Sequence, residues 1–584
     1  MSLARTRLSI GLWAALAAAA CSSRNTNEAP KLQDQPTSAP PAAPAPPAPP
    51  PDDRYDSGSL GAIHFELSQG SPQARALFAR GLLALHSFWY DEAVRQFDAA
   101  IAADPTMAMA YWGAAMSRCK LLWGDDDLTG MREVLSRMPD PARLPEREQA
   151  WVMALVELMR EGDVRTSRRR FAGAMDKLHA RFPDDESATF LAAALLASIR
   201  PEDPDNLAVR KRAAALASGV FEHNPKHPGA AHYLIHAYDT PELAALALPV
   251  ARAYAQIAPA AFHARHMPAH IFSRLGMWKE AIASCQAAWD ASITAARREK
   301  LSADHHDFHS LNWLVEMPFE LGQRKAADAA LATFGATVRG GIGRQNRALY
   351  ASQVASYMMR TGAWSRVDEL LSPLDAPAVE DGAAEPHAHG APAAAASPLE
   401  LVEQLQVLGA RARAAAVQRD AEKTRRYVHD LEATNDKLRA FLLTVQPPEL
   451  VARLDATAAR KRQALVARAA GDDRALLEVL RQSLVDDEES TGGEADPSGF
   501  VLHEEIADTM MRLGRAKDAA AEYALVIKNH PGRARALLGA ARAAVRLGAK
   551  DDARTAYRRL LELWSAADEG TDGLAEARAA VAAP

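Results

Sequence analysis

Apolar and small residues recur along this chain at three- and four-residue steps, broken at intervals by short polar turns. The clearest stretch is residues 74–106, where Leu77, Gly81, Ala93, Phe97, Ala100 and Pro105 outline two amphipathic helices and the turn between them. Gly81 and Ala93 are small where the two helices must cross, Phe97 fills the space between them, and Pro105 ends the second because it lacks an N–H for a further turn. The pattern returns near the other end of the chain. Leu513-Gly514 marks a turn, Ala519 and Tyr523 take the small and aromatic places, and Pro531 closes the pair. Ala553 and Tyr557 repeat those two places 34 residues later. Between the ends, Leu275-Gly276-Met277-Trp278, followed by Ala281 and Ala288, is another such turn, and Leu321-Gly322 and Thr361-Gly362 look alike.

This spacing resembles that of the tetratricopeptide repeat family, and it recurs over much of residues 74–564. The segments His232-Tyr-Leu-Ile-His-Ala-Tyr-Asp239 and His266-Met-Pro-Ala-His-Ile-Phe-Ser-Arg-Leu-Gly276 are also similar to a largely uncharacterised group of bacterial tetratricopeptide lipoproteins. The resemblance implies an all-α, right-handed superhelical solenoid. Each repeat buries its apolar face only against its neighbours, so a concave surface for a protein or peptide partner is expected. Composition agrees: aromatics are 6% of the 584 residues and alanine is abundant, which favours close-packed helices over sheet.

The first residues predict an address and an anchor. Arg5 and Arg7 precede an apolar run, Leu8 to Ala20, too short for a permanent membrane helix. Small residues then lead into Cys21, which resembles a lipobox cysteine that is diacylated after cleavage, although Ala18 stands where leucine is usual. Ser22 resembles the outer-membrane sorting class, so the expected place is the cell envelope, as an outer-membrane lipoprotein. Residues 22–56 are Pro/Ala-rich and predict a disordered tether. Beyond it the expected order is a first array over 57–375, a linker over 376–398, a helical segment over 399–485, an acidic loop over 486–498, a repeat pair over 499–565 and a tail over 566–584.

The chemistry concentrates in one stretch. Eight of the chain's 18 histidines lie between His232 and His309, and two pairs keep the repeat period: His232 and His266 are separated by 34 residues, as are His236 and His270. In repeat register, His232, His236, His266 and His270 take places five and nine of successive first helices, and His263 and His309 take place two. Spacings of three and four put side chains on one helix face. His232, His236, His266, His270 and His309 are therefore the candidate ligands for zinc or copper, both of which accept imidazole. Asp239, Asn312 and Glu316 are candidates to complete or orient that set. Pro268 between His266 and His270 belongs in a first helical turn, which leaves the aim of His263 open. With a coordination position open, bound water would make a metal-dependent hydrolase. This metal reading is the alternative to an interaction scaffold whose groove takes a protein or peptide partner; plain hydrogen bonding between packed helices is the third.

Other signals narrow the classes. The net charge is −6, and the runs Arg168-Arg169-Arg170 and Arg297-Arg298-Glu299-Lys300 read as solvated helix ends, so no nucleic-acid partner is expected. No Gly-x-Ser-x-Gly elbow, phosphate loop or dinucleotide fingerprint occurs, and His503-Glu504-Glu505-Ile506-Ala507 lacks the second histidine of a zinc-protease motif, so no catalytic residue is assigned. Cys119 and Cys285 read as buried free thiols. Trp89, Trp112, Trp123 and Trp151 read as core between helices, and His387 and His389 as part of a solvated linker.

Overall fold

A computed structural model describes residues 55–200, 203–379, 397–488 and 501–582. The expected signal, Cys21, the Pro/Ala-rich tether up to residue 54 and the histidines at 387 and 389 lie outside the described residues. Those described fold as an all-α solenoid of helix pairs of the expected repeat. Strand occurs only as two short antiparallel ladders, Tyr55–Asp56 with Ala62–Ile63 and Cys119–Lys120 with Asp125–Asp126. Among the described residues no helix is long and apolar enough to cross a membrane.

The first repeat shows why its residues are spaced as they are. Ser71 caps the Pro72–His86 helix by accepting from the Ala74 N–H, and Pro72 occupies the first turn, where no N–H is needed. The Phe97 ring of the Tyr90–Ala103 helix lies against Gly81, and a Cβ there would sit 3.0 Å from it. Gly113 of the Ala108–Met116 helix closes on the same ring, leaving only 2.3 Å for a Cβ. Tyr523 and Gly539 repeat that contact in the last array, again at 2.3 Å. The turns at Gly276, Gly322, Gly362, Gly514 and Gly548 have φ between 66° and 75°, the left-handed cap that glycine adopts without a Cβ penalty.

The solenoid curls back on itself. The Pro72–His86 helix packs against the Pro228–Tyr238 helix, more than 140 residues on. The segment before it is laced to the same region, with the Ala62 N–H donating to the Lys226 carbonyl (2.9 Å) and the Ala260 N–H to Ser59 (3.0 Å). One continuous core runs from Leu60 to Ala410. The last repeats dock on the turns of the first array. Trp278 Nε1 donates to the Gly532 carbonyl (2.7 Å), the Ala534 N–H to Glu320 (2.7 Å) and the Asp568 N–H to the Gly322 carbonyl (2.9 Å). Buried Arg533 sits between Glu504 (2.8 Å) and Glu320 (3.3 Å) at the centre of this contact.

Three expectations are corrected. Trp123 is 43% exposed, at the tip of the Cys119–Asp126 hairpin, while Trp89, Trp112 and Trp151 are core. The Asp473–Glu488 helix runs past the expected loop boundary at residue 486. The expected tail contains the Leu574–Ala582 helix, whose Leu574 and Ala577 cover the end of the last pair as a cap.

Candidate metal centre

The Pro228–Tyr238 helix is buried almost throughout. His232 and His236 stand one turn apart on it, and their Nε2 atoms come within 3.0 Å. His263, on the short Phe262–His266 helix, brings its Nε2 to 3.2 Å from that of His232. One repeat further along the arrangement recurs. His266 and His270 Nε2 atoms are 3.0 Å apart, and His309, near the start of the Phe308–Glu316 helix, completes a second triad. Within each triad one ligand atom per residue lies within 4.8 Å of the others. Each triad is thus places five and nine of one repeat plus place two of the next. His263 and His266 rings are 6.2 Å apart between centroids, so the triads adjoin.

The opposite side of each ring decides what the converging nitrogens can do. His232 Nδ1–H donates to the His86 carbonyl (2.6 Å). His266 Nδ1–H donates to Ser310 Oγ (2.9 Å), whose own hydrogen goes to Asp307. His270 Nδ1 faces Asp239 Oδ2 at 3.3 Å, and Asp239 is held from behind by Arg274 Nε (2.8 Å). In a neutral imidazole with hydrogen on Nδ1, Nε2 carries the lone pair. His266 and His232, whose Nδ1–H groups are engaged from behind, therefore turn an Nε2 lone pair inward, towards His270 and towards His236 and His263. Three imidazoles around a tetrahedral ion at about 2.0–2.1 Å have nitrogens roughly 3.3 Å apart, close to the spacing found. A carboxylate or carbonyl behind the ring is the usual support for such a ligand.

Burial pushes His232, His236, His263 and His266 well below the usual imidazole range, and neighbouring histidines add to it. All four are neutral at pH 7, the state a metal needs. Burial opposes ionisation of Asp239, but Arg274 and His270 outweigh it and hold the carboxyl below its ordinary value. The surroundings are aromatic. Phe88 stacks on His263 (5.4 Å) and meets His232 edge-on (4.4 Å), with its backbone left-handed at φ 52°. Trp313 lies 4.9 Å from His270 and 5.1 Å from His266, and Trp123 stands against His263 at 5.8 Å. Cys285 Sγ sits behind His266, 3.5 Å from Nδ1, and burial keeps it a thiol.

A third group, His86, Glu186 and His227, has the opposite polarity. His227 Nδ1 accepts from the Ala230 N–H (3.2 Å), so its Nε2–H points at Glu186 Oε1 (3.2 Å). His86 Nε2 meets Glu186 Oε2 at 2.7 Å, with Tyr233 on its Nδ1 (3.1 Å). Burial would raise the Glu186 carboxyl, but the two histidines bring it down to about 2. This is a closed hydrogen-bonded set with no free lone pairs turned inward. It serves the first triad indirectly, by fixing the residue whose carbonyl holds His232.

All five candidate histidine ligands fall in the two triads, together with His263, whose aim the sequence left open. Asp239 backs His270. Glu316 is elsewhere, accepting from Gln353 (2.8 Å) and pairing with Arg360 (3.9 Å), and Asn312 is half-buried and belongs to neither triad. His305 and His306 lie apart, His306 against Trp289. Sequence reading missed His86, Glu186, His227 and Ser310. Only Ser310 had a local signal, one residue from His309.

No protein-family model matches the chain, and no curated protein matches it in sequence. Among solved structures it is similar to yeast Tom70, at 12% identity over 87% of this chain and 95% of that one, with a TM-score of 0.27. It is also similar to the P58(IPK) TPR domain (13%, 68% and 98%, TM-score 0.19) and to Naa15/Naa10 bound to HypK-THB (13%, 86% and 65%, TM-score 0.21). At such scores these likenesses carry no argument about function.

Proposed function

We propose that this chain is a metal-binding protein that holds two ions, zinc or copper, each on three imidazoles contributed by two successive repeats. One observation carries the reading: His266, His270 and His309 bring one ligand nitrogen each within 4.8 Å of one another, with the Nε2 atoms of His266 and His270 3.0 Å apart, while Ser310 and Asp239 occupy the far sides of those two rings. The recurrence of the same 3.0 Å contact one repeat away, at His232 and His236, supports two sites. Elemental analysis of metal-loaded full-length protein tests it. Two ions per chain are expected, and one remains after His232→Ala with His236→Ala or after His266→Ala with His270→Ala. A wild-type chain that retains no ion overturns the proposal.

A partner-binding scaffold is the second reading. It is favoured by a cleft of about 620 Å³ between the Glu146–Met159 and Val164–Arg181 helices, beside exposed Met153 and Val156. Pull-down with and without Met153→Asp tests it. For the address, the basic-apolar-Cys21 pattern supports an exported, lipid-anchored protein. Incorporation of labelled palmitate that disappears in Cys21→Ser is the expected result.

A further inference from the structure

We infer that the two triads act as one centre that takes a pair of Cu(I) ions and binds dioxygen between them. This rests on the metal-binding reading above and adds the identity of the ions and of the ligand. The argument begins with charge. Every converging ligand atom is an imidazole nitrogen, and neither triad contains a carboxylate or thiolate ligand. Of the fixed charges nearby, Asp239 is matched by Arg274 and Glu186 faces the N–H groups of His86 and His227, while Asp307 behind Ser310 and Arg210 against the His236 carbonyl are opposite in sign. Two divalent ions would bring four uncompensated positive charges into a largely buried, aromatic-walled site, where unpaired charge is costly. Two Cu(I) ions bring half that charge. Copper accepts imidazole, and three nitrogens leave one face of each ion open.

Dioxygen then completes the balance. Each Cu(I) gives one electron, the O–O π bond is broken, the O–O σ bond is kept, and each copper gains a bond to oxygen. The products are two Cu(II) and one O₂²⁻. The total charge of the centre stays at +2, no proton is consumed and no other reductant is needed. A small apolar gas also suits the geometry. His309 is exposed and His263 half-buried, one from each triad, so both ions have an imidazole at the surface side, whereas the other four rings are buried. The triads adjoin, with 6.2 Å between the His263 and His266 ring centroids, and a diatomic ligand between the two ions is the smallest that would bridge them.

The test uses full-length protein loaded anaerobically with Cu(I) and then exposed to oxygen. An oxygen electrode should record one O₂ per chain, a new near-ultraviolet absorption should appear, and the coupled Cu(II) pair should give little paramagnetic resonance signal. Argon sparging should reverse the absorption. His309→Ala and His263→Ala each remove one surface imidazole and should lower uptake at least ten-fold. Circular dichroism checks that both fold, and wild-type uptake in either folded variant overturns the proposal. Two Cu(I) bound without uptake, or a full signal from isolated Cu(II), overturns this inference and leaves the metal-binding reading intact. Failure to bind copper or zinc at all overturns both.

Discussion

Ser310→Ala separates the metal-free protein from the loaded one more sharply than removal of a ligand would. In the wild type, Ser310 Oγ accepts from His266 Nδ1–H and keeps Nε2 bare. Without the hydroxyl, the metal-free protein has an escape. The hydrogen moves to Nε2 and donates to His270 Nε2, already 3.0 Å away. His266 Nδ1 then accepts from the Cys285 thiol at 3.5 Å, which burial keeps protonated. One hydrogen bond replaces another, so folding stability should change by no more than about 1 kcal/mol. The loaded protein has no such escape, because a metal at Nε2 forces hydrogen back to Nδ1, facing only sulfur. Losing a good acceptor there costs about 1–3 kcal/mol. That matches the roughly 10–100-fold affinity loss typical when the group behind a metal-bound histidine is removed.

The loss should fall on the second triad alone, since His232 takes its support from the His86 carbonyl. Chelator competition on protein with two sites should resolve one unchanged and one weakened constant, while melting of the metal-free variant stays near wild type. Equal weakening of both sites, or an unchanged second site, would refute the tautomer argument.

Metal-free protein should lose stability in acid: unfolded histidine titrates near 6.5 while His232, His236, His263 and His266 stay neutral in the fold, so the unfolded state binds more protons as pH falls below 6.5. Each imidazole contributes up to about 1.4 kcal/mol per pH unit, so urea midpoints should be level above pH 7 and drop steeply towards pH 5.5, with zinc raising them across the range. Gly229→Ala should destabilise by about 2–4 kcal/mol despite alanine's better helix propensity, because its Cβ would lie 2.3 Å from His86 Nδ1 and break the Glu186 contact; a gain in melting temperature would contradict this packing. Arg533→Met should cost about 3–5 kcal/mol by leaving Glu504 and Glu320 buried without their cation, read as earlier proteolysis of the last array.

Much of this was legible in the sequence, and for identifiable reasons. The 34-residue offset between the two histidine pairs is visible in the chain because the repeat imposes one helix geometry twice, and the two Nε2 contacts have the same length. Place two was legible at His309 but obscured at His263 by Pro268. The chain resolves that conflict by splitting the helix. Pro268 opens a new helix, Pro268–Arg274, and His263 stays on the preceding turn, free to lean towards His232. Glu316 held the expected register but not the expected contact. Its helix ends there, and Arg360 and Gln353 from the Arg344–Thr361 helix draw the carboxylate away. His86 and Glu186 were beyond sequence reasoning, because their partners lie 100 residues and more along the chain and meet only when the solenoid curls.

That curl links architecture to chemistry. In an open solenoid each repeat touches only its neighbours, so a triad built from places five, nine and two depends on one interface between repeats. An ion held there spans two repeats and stabilises that interface by mass action, about 4 kcal/mol when free metal is a thousand-fold above its dissociation constant. The first triad has a further tie, because the His86 carbonyl reaches it from the opening repeat and the closed His86–Glu186–His227 set fixes that residue. The second is tied the other way. Arg274, which holds Asp239, also reaches His530 (3.5 Å), beside the docked last array. Each triad is thus braced by a different end of the chain, and both braces act on the hydrogen-bonded side of a ring and not on its lone pair. That division of labour lets folding alone set the direction of the inward nitrogens.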